Sequence, residues 1–385
     1  MTWHADTAIV GGGPAGAIIA RRLALMGWKV MLLERGERLR PKACGHCLAP
    51  RAWRLLAHEG LGERVRGIAS GTTDRLHVHP DRDVCVRTRL APADTAGGLM
   101  VPRDRFDQML RDAAAEAGAS VHHSASVRVQ QIDGTGATLS VSMAKARVQL
   151  RCSLLIGADG LGSAIARAAG LANATAAGRK YGFALTVPGA MDSGAIESGA
   201  IEMFLLPGGY LGAIRQHDGV IHLAALVASR GRRLRSNPTS VLAQAAGAHP
   251  RLEHILKTTT SSQLNRDVLA VGPMPWRPRA VAARRVALVG DAAGYIEPFT
   301  GEGMAWAIES ALLLSACIAE SGNAWNHATA DMYARMWRER IERRQRLCRW
   351  LAAGLQRPLV SGALARAAIA LPSLTGRLVR QAVAA

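Results

Sequence analysis

Short apolar runs recur along the chain, each closed by glycine or an acid. Thr7-Ala8-Ile9-Val10, Val30-Met31-Leu32-Leu33, Leu154-Leu155-Ile156 and Val286-Ala287-Leu288-Val289 read as strands buried on both faces, the pattern of a parallel sheet covered by helices. Ala17 to Met26 has the composition of the first covering helix. Other stretches alternate instead. Val127-Arg128-Val129 and Leu139-Ser140-Val141 predict strands of a small β-meander between Val121 and Cys152, turning at Asp133-Gly134. Arg75 to Leu90 predicts two short strands, and Tyr181 to Ser229 a set of longer ones with turns at Pro207-Gly208-Gly209 and Asp218-Gly219. In the last 55 residues Met332, Met336, Ile341, Leu347, Leu351 and Leu355 recur at helical spacing among arginines. Two or three amphipathic helices are expected there, broken at Pro358 and Pro372.

Three of the buried runs deliver glycine motifs. The first run leads into Gly11-Gly12-Gly13-Pro14-Ala15-Gly16 and then a helix, the setting of a dinucleotide fingerprint. Gly11 permits the tight turn, Gly13 lets the backbone approach a pyrophosphate, and Gly16 lets helix and strand pack closely. The helix start would face the phosphate charge. Glu34, with Arg35 beside it, ends the second run about 20 residues on, where a ribose hydroxyl needs an acceptor. This fingerprint alone fits NAD or FAD. The later motifs choose FAD: Gly157-Ala158-Asp159-Gly160 in mid-chain, and Gly290-Asp291 running through Pro298 to Gly301-Glu302-Gly303-Met304. Asp291 at a strand end can accept from ribityl hydroxyls. A helix opening near Gly303 would aim its positive end at the reduced ring.

With these residues in place the chain resembles the FAD-dependent oxidoreductases of the p-hydroxybenzoate hydroxylase fold, and within them the geranylgeranyl reductase-like branch and its monooxygenase relatives. Arg103, Asp107 and Leu110 match the family's Arg-x-x-x-Asp-x-x-Leu helix, which implies that Arg103 reaches FAD. Pro41-Lys42-Ala43-Cys44-Gly45 resembles the branch's Lys-x-Cys-Gly loop, which in relatives approaches the isoalloxazine. Gly272-Pro273 also fits the branch. The resemblance implies an α/β (α+β) fold: a Rossmann-like FAD-binding domain with an inserted antiparallel β-sheet substrate domain and a C-terminal helical region. The expected boundaries are 1–70, 97–171 and 271–322 for the FAD-binding domain, 71–96 and 172–270 for the substrate domain, and 323–385 for the arginine-rich helices. The expected cofactor contacts are Gly11, Gly13, Pro14, Ala15, Gly16, Glu34, Arg35, Cys44, Gly45, Arg103, Asp159, Gly290, Asp291, Pro298, Gly301, Glu302, Gly303 and Met304. For Asp159, supporting the fold and touching the cofactor stand as equal alternatives.

Composition fits an enzyme with a large core: 385 residues, 49% of them apolar. The first strand begins within a few residues of Met1, so no signal peptide is expected. Ala305 to Ala319 is the longest bilayer-like candidate, but it is short and carries Glu309, so it reads as a helix packed on the FAD-binding domain. A cytoplasmic protein is expected, with peripheral contact at the inner membrane face left open. The net charge of +19 is almost all arginine, since only five lysines are present. Genomic base composition explains such usage; attraction to NAD(P)H, to a substrate carried as an anionic thioester, or to an anionic membrane is the functional alternative. Eleven arginines against three acids from Asp331 onward sharpen it. No motif supports nucleic-acid binding, and oligomeric state is not legible.

Cys44-Gly45-His46-Cys47 has dithiol spacing, but it lacks a thioredoxin-like strand–helix setting and reads as a structural or flavin-facing loop. Cys85, Cys152, Cys317 and Cys348 are scattered in apolar segments, and no zinc-type spacing is seen. Cys44, His46 and Tyr210 are the candidates for catalysis: His46 either moves a proton or is a solvated loop residue, and Tyr210 either meets substrate or packs within its strand. With one fingerprint only, NAD(P)H would be a transient reductant. The branch's Gly-Tyr-x-Trp-x-Phe-Pro signature survives here only as glycine and tyrosine in Gly209-Tyr210-Leu211-Gly212-Ala213-Ile214-Arg215. A halogenase Trp-x-Trp-x-Ile-Pro motif is absent. By elimination the expected reaction is NAD(P)H-dependent monooxygenation of an apolar or aromatic, polyketide- or lipid-like substrate. An ene-reductase of isoprenoid double bonds and an electron-transfer flavoprotein are the alternatives.

Overall fold

The computed structural model describes residues 2–39, 41–90, 97–144, 146–173, 180–187, 196–206, 208–228, 247, 249, 251–253, 268–296 and 301–355. Pro207, Pro298, Pro358 and Pro372 therefore lie outside the described residues. Strands β1 (Thr2–Val10), β2 (Val30–Leu33), β8 (Ser120–His122), β9 (Ser126–Ile132), β10 (Ala137–Met143), β11 (Ala146–Gly157), β17 (Ala282–Ala283) and β18 (Val286–Leu288) form the first sheet. Its order is β17-β18-β11-β1-β2-β8, with β10 and β9 added antiparallel to β11. The pairings among β18, β11, β1, β2 and β8 are all parallel. The apolar runs are buried on both faces as their composition demands, Ala8, Ile9, Leu32, Leu155 and Ala287 being fully covered. The meander is not separate: β11 runs unbroken from it into the parallel sheet and ends at Gly157.

Helices cover the sheet. Helix α1 (Pro14–Leu25) packs against α4 (Arg103–Glu116) and against α6 (Gly303–Glu320), which also meets α2 (Pro50–His58); α3 (Gly62–Ile68) and the short α5 (Ala164–Ala168) complete this half. By length and hydropathy α6 alone among the described residues passes as a bilayer span, yet 72% of it is buried in the core. Short strands β3 (Cys47–Leu48), β4 (Gly71–Thr73) and β7 (Gly98–Met100) form a small sheet beside α2.

Strands β5 (Arg75–His79), β6 (Val86–Arg89), β12 (Lys180–Val187), β13 (Ala200–Leu206), β14 (Gly209–Arg215), β15 (Ile221–Ala228) and β16 (Leu269–Met274) build a second large sheet, ordered β16-β12-β15-β14-β13-β5-β6. It is antiparallel except where β5 runs parallel to β13. The chain leaves this sheet only at Met274, slightly later than the expected return at 271, and β4 pairs with β7 and not with β5. Alternation gives the sheet two apolar faces. Met203, Leu205, Tyr210, Leu226 and Met274 cluster with Leu161 and Tyr295 of the FAD-binding half, whereas Phe204, Leu211, Leu223 and their neighbours form a separate core on the other side.

After α6 come α7 (His327–Trp337), one π turn at Arg338–Glu342, and α8 (Arg343–Leu355). The wide turn breaks the expected stripe. Its added residue rotates α8 about the helix axis, so Ile341 stays buried but Leu347 emerges 54% exposed. Gln345 and Cys348 turn inward in its place. Helix α7 is fastened to the first sheet by Tyr333, whose fully buried hydroxyl donates to the Leu288 carbonyl at 2.7 Å. Tyr333→Phe removes that bond alone and is expected to lower the unfolding free energy by about 1–2 kcal/mol. Chemical denaturation checks this; an unchanged midpoint would mean the bond contributes nothing.

Candidate cofactor and active site

The three glycine motifs meet. Gly11, at φ +105°, lies so close to the second motif that a Cβ would stand 2.2 Å from the Ala158 carbonyl oxygen. Gly290, at φ +61°, faces the first motif, where a Cβ would come within 2.8 Å of Ala15 Cβ. Both positions demand glycine for internal reasons. Gly13 does not: nothing lies within 4 Å of where its Cβ would be. That open side adjoins the start of α1, whose first turn has no side-chain cap. Helix-start amides with no side-chain cap among the described residues, beside open space, suit a phosphate. The start of α6 likewise has no side-chain cap, and Gly301 just before it also borders open space.

Acids stand at both ends of this region. Glu34 accepts from the Gly12 and Gly36 amides, each at 2.7 Å, and a carboxylate so engaged still has lone pairs for hydroxyls. Burial opposes its charge, but Lys42, those amides and Arg111 together hold it below the usual range. Asp291 lacks that compensation. Burial pushes its carboxyl up to about 6, against the pull of Arg103 and Lys42. Asp107, buried on α4, joins the two cations: Arg103 Nε donates to its Oδ1 at 2.9 Å and Lys42 Nζ to its Oδ2 at 2.7 Å. Arg111, two helical turns beyond Arg103 on the same helix face, donates to the Gly12 carbonyl at 3.0 Å. Glu34 and Asp291 thus share one cation, Lys42, and Arg103 acts on Asp291 from the same network.

The Cys44–Cys47 loop crosses from this network to the second sheet. Arg103 hydrogen-bonds the Cys44 sulfur, and burial and Asp107 set its own charge against each other, with Asp107 and Cys44 prevailing. Gly45 sits over β15, with Ala224 Cβ 3.6 Å from where its Cβ would be. His46 takes a left-handed backbone, φ 57°, and stacks on His222 of β15 at 3.9 Å. It is therefore not the solvated loop histidine that was one of its two readings. Burial, His222 and Arg103 push its imidazole down to about 3, so it is neutral, and its Nδ1 is buried with no hydrogen-bond partner among the described residues. Burial likewise lowers His222 to about 4. Thr186 and Gln216 hold the His222 ring at 2.9 and 2.5 Å. Cys47 faces Thr73, and burial raises its thiol to about 11, the opposite of an activated dithiol. Both cysteines are free.

Of the other expected residues, Asp159 serves its local fold: its carboxylate accepts from Ser163 Oγ and from the Ala164 and Ile165 amides at the start of α5. Tyr210 is buried in the sheet face that meets Leu161 and Tyr295. Pro14 and Ala15 open α1, Arg35 follows β2, and Glu302 and Met304 are buried at the start of α6. Pro298 is outside the described residues. Lys42 and Asp107 belong to the matched motifs, but the motifs assigned them no role. The 103-107-111 spacing was the available signal for Arg111; nothing local marked His222.

The residues present fit FAD. Glu34 and Arg111 would hold the adenosine end, Gly13 and the start of α1 the pyrophosphate, and Asp291 with the start of α6 the flavin end. Asp291 gives a test with a definite sign. Unfolded, its carboxyl titrates near its ordinary value of about 4. Its folded value is higher, so folding disfavours the charge: stability falls as pH rises from about 4 through about 6 and is level above. The apo-protein of Asp291→Asn is expected to be roughly 1–2 kcal/mol more stable than wild type at pH 8, the gap closing near pH 4. Its FAD retention should fall about tenfold. Thermal melts at both pH values and the flavin absorbance of the desalted protein decide it; a variant less stable at pH 8 refutes the assignment.

The geometry agrees with known proteins. The family described as FAD binding domain matches residues 4–350. The chain is 26% identical over 363 residues to the digeranylgeranylglycerophospholipid reductase of Thermoplasma volcanium, covering 90% of this chain and 86% of that one. It is 27% identical over 362 residues to the menaquinone reductase of Mycolicibacterium smegmatis, covering 87% and 82%. Two solved structures share the fold. A geranylgeranyl bacteriochlorophyll reductase-like protein of Thermoplasma acidophilum has a TM-score of 0.74 at 22% identity, covering 92% of this chain and 88% of that one. The myxobacterial chondrochloren halogenase has a TM-score of 0.76 at 19% identity, covering 87% and 79%. The chain belongs to the FAD-binding-domain family and is an FAD-dependent oxidoreductase.

Proposed function

We propose that the enzyme reduces a carbon–carbon double bond in a long apolar, lipid-like substrate, with NAD(P)H as a transient electron donor. The observation that carries this reading is the meeting of an apolar sheet face with the Cys44–Cys47 loop, which ties that face to the Arg103 network. Met203, Leu205, Tyr210, Leu226 and Met274 pack towards Leu161 and Tyr295, and Tyr295 follows Asp291 by four residues. On the same face of β15, Ala224 and His222 receive Gly45 and His46. Bound FAD supplies the hydride when reduced. Saturation of a double bond also needs one proton at the second carbon. Cys44 is the side chain placed to relay it, since Arg103 hydrogen-bonds its sulfur, whereas His46 beside it, held neutral, is too weak an acid to give up a proton itself. An uncharged imidazole can occupy an apolar pocket without the desolvation cost of an ion. The names of the reductases at 26% and 27% identity, whose substrates are a prenylated phospholipid and a menaquinone, support the same class.

Monooxygenation of an apolar or aromatic substrate is the second reading. The residues after Tyr210, Leu211-Gly212-Ala213-Ile214-Arg215, favour it because they lack the aromatic and proline positions of the isoprenoid-reductase signature. The two readings separate by mass. Under argon, with FAD and NADPH, prenyl lipids are expected to gain two hydrogens. A product that appears only with O2 and carries one added oxygen overturns reduction in favour of the second reading.

Such a substrate resides in a membrane, and we propose that α8 lies against an anionic surface. Its outward stripe is Arg343, Arg346, Leu347 and Trp350, with Trp350 75% exposed, while Gln345, Cys348 and Ala352 face inward. Indole and guanidinium groups on one exposed helix face suit the headgroup zone. The protein is expected to co-sediment with phosphatidylglycerol vesicles at low salt, and Arg346→Glu should weaken this about fivefold or more. Wild-type protein left entirely in the supernatant would sink the proposal.

A further inference from the structure

The outer face of the second sheet holds a charged cluster that the flavin chemistry does not use. His77 and His79 are two residues apart on β5, so both imidazoles leave the strand on one side. That side is the one opposite Leu76 and Val78, which pack towards the FAD-binding half. Glu202 on β13 lies directly across from His77 and has no solvent exposure. Its Oε1 is 3.0 Å from His77 Nδ1 and its Oε2 is 2.5 Å from His79 Nε2. Glu197, just ahead of β13, brings its Oε2 to 3.7 Å from the same His77 Nδ1. The other Glu197 oxygen is paired with Arg75.

His77 Nδ1 and one oxygen from each of the two glutamates all lie within 4.8 Å of one another. A tetrahedral ion with bonds of about 2.0–2.2 Å needs ligand atoms roughly 3.3 Å apart, so small side-chain adjustments suffice. The remaining oxygens are already held. His79 fixes the outer oxygen of Glu202 and Arg75 that of Glu197, which leaves the inner pair directed at His77. Orientation of ligands by such outer partners is the usual support of a protein metal centre. One imidazole with two carboxylates suits a transition metal better than Mg2+ or Ca2+, which prefer oxygen throughout. Glu197 is 45% exposed, so the site has an entry from solvent.

We propose that His77, Glu197 and Glu202 bind one Zn2+ ion per chain, with water completing the coordination. The ion takes the place of the proton between His77 Nδ1 and Glu202 Oε1; that proton moves by way of solvent to His77 Nε2, so the imidazole coordinates as its neutral tautomer. No redox change is involved. The bound ion clips the β5–β6 hairpin to β13 at the sheet's parallel junction.

The test uses the FAD-loaded protein, dialysed against chelator and titrated with Co2+ and then Zn2+. One Co2+ per chain is expected, giving visible bands of a low-symmetry site that Zn2+ displaces, with a rise in melting temperature. Glu197→Gln alters a half-exposed side chain and leaves the buried Glu202 trio intact, so it should fold; its affinity should fall at least tenfold. His77→Gln should abolish the bands. Wild-type protein that takes up no Co2+ overturns the proposal and leaves a hydrogen-bonded triad. Uptake unchanged in Glu197→Gln but lost in Cys44→Ser overturns it too, because the metal then sits in the loop. Both outcomes are independent of whether the substrate is reduced or oxygenated.

Discussion

The buried carboxylate of Asp107 is the constraint on which the site depends. Removed from water, it is tolerable only with cations in contact, and it has two: Arg103 from its own helix and Lys42 from a distant loop. Burial would raise its proton affinity, but the two cations more than offset this and hold it ionised. Satisfying Asp107 therefore fixes where the Cys44–Cys47 loop begins. The same cations then act on Asp291, and Lys42 on Glu34, so one buried charge organises both ends of the cofactor region. Asp291 is left under-compensated, and burial holds its carboxyl up at about 6.

Much of the cofactor half was legible because its information is local. A strand, a glycine turn and a helix lie within about twenty residues, and the steric reason for the glycines is visible as contact: Gly11 against Ala158, Gly290 against Ala15. The acid at Glu34 is likewise fixed by strand length. What escaped the sequence comes from pairings across long separations. Arg111 reaches a carbonyl 99 residues earlier, and His222 meets His46 only because β15 passes beneath the loop. Of the two readings of His46, the stack on His222 removes the solvated one. Leu347 failed for a different reason. Periodicity arguments assume an unbroken repeat of about 3.6 residues, and the π turn at Arg338–Glu342 resets the phase.

The second sheet divides its labour by alternation. Even-numbered His222, Ala224 and Leu226 on β15 look towards the cofactor half, and Leu223 and Ala225 between them fill the opposite core. Small side chains under the loop, Ala224 and its partner Gly212, allow Gly45 to approach. The larger Leu226 and Tyr210 lie one step further along the pleat. A shift of register by one residue would exchange the imidazole-bearing surface with the aliphatic one. Packing on both faces is what forbids that slip.

The parallel junction of β5 with β13 has a further meaning for how this architecture can be inherited. The large sheet is contributed by two stretches of chain, and the earlier one, β5 with β6, closes its far edge. A recombination event that carried only the later stretch into another chain would leave β13 without its neighbour and bare a row of backbone amides and carbonyls. The sheet is therefore not a portable cassette. New substrate surfaces must evolve by side-chain replacement on a retained framework, with both stretches changing together.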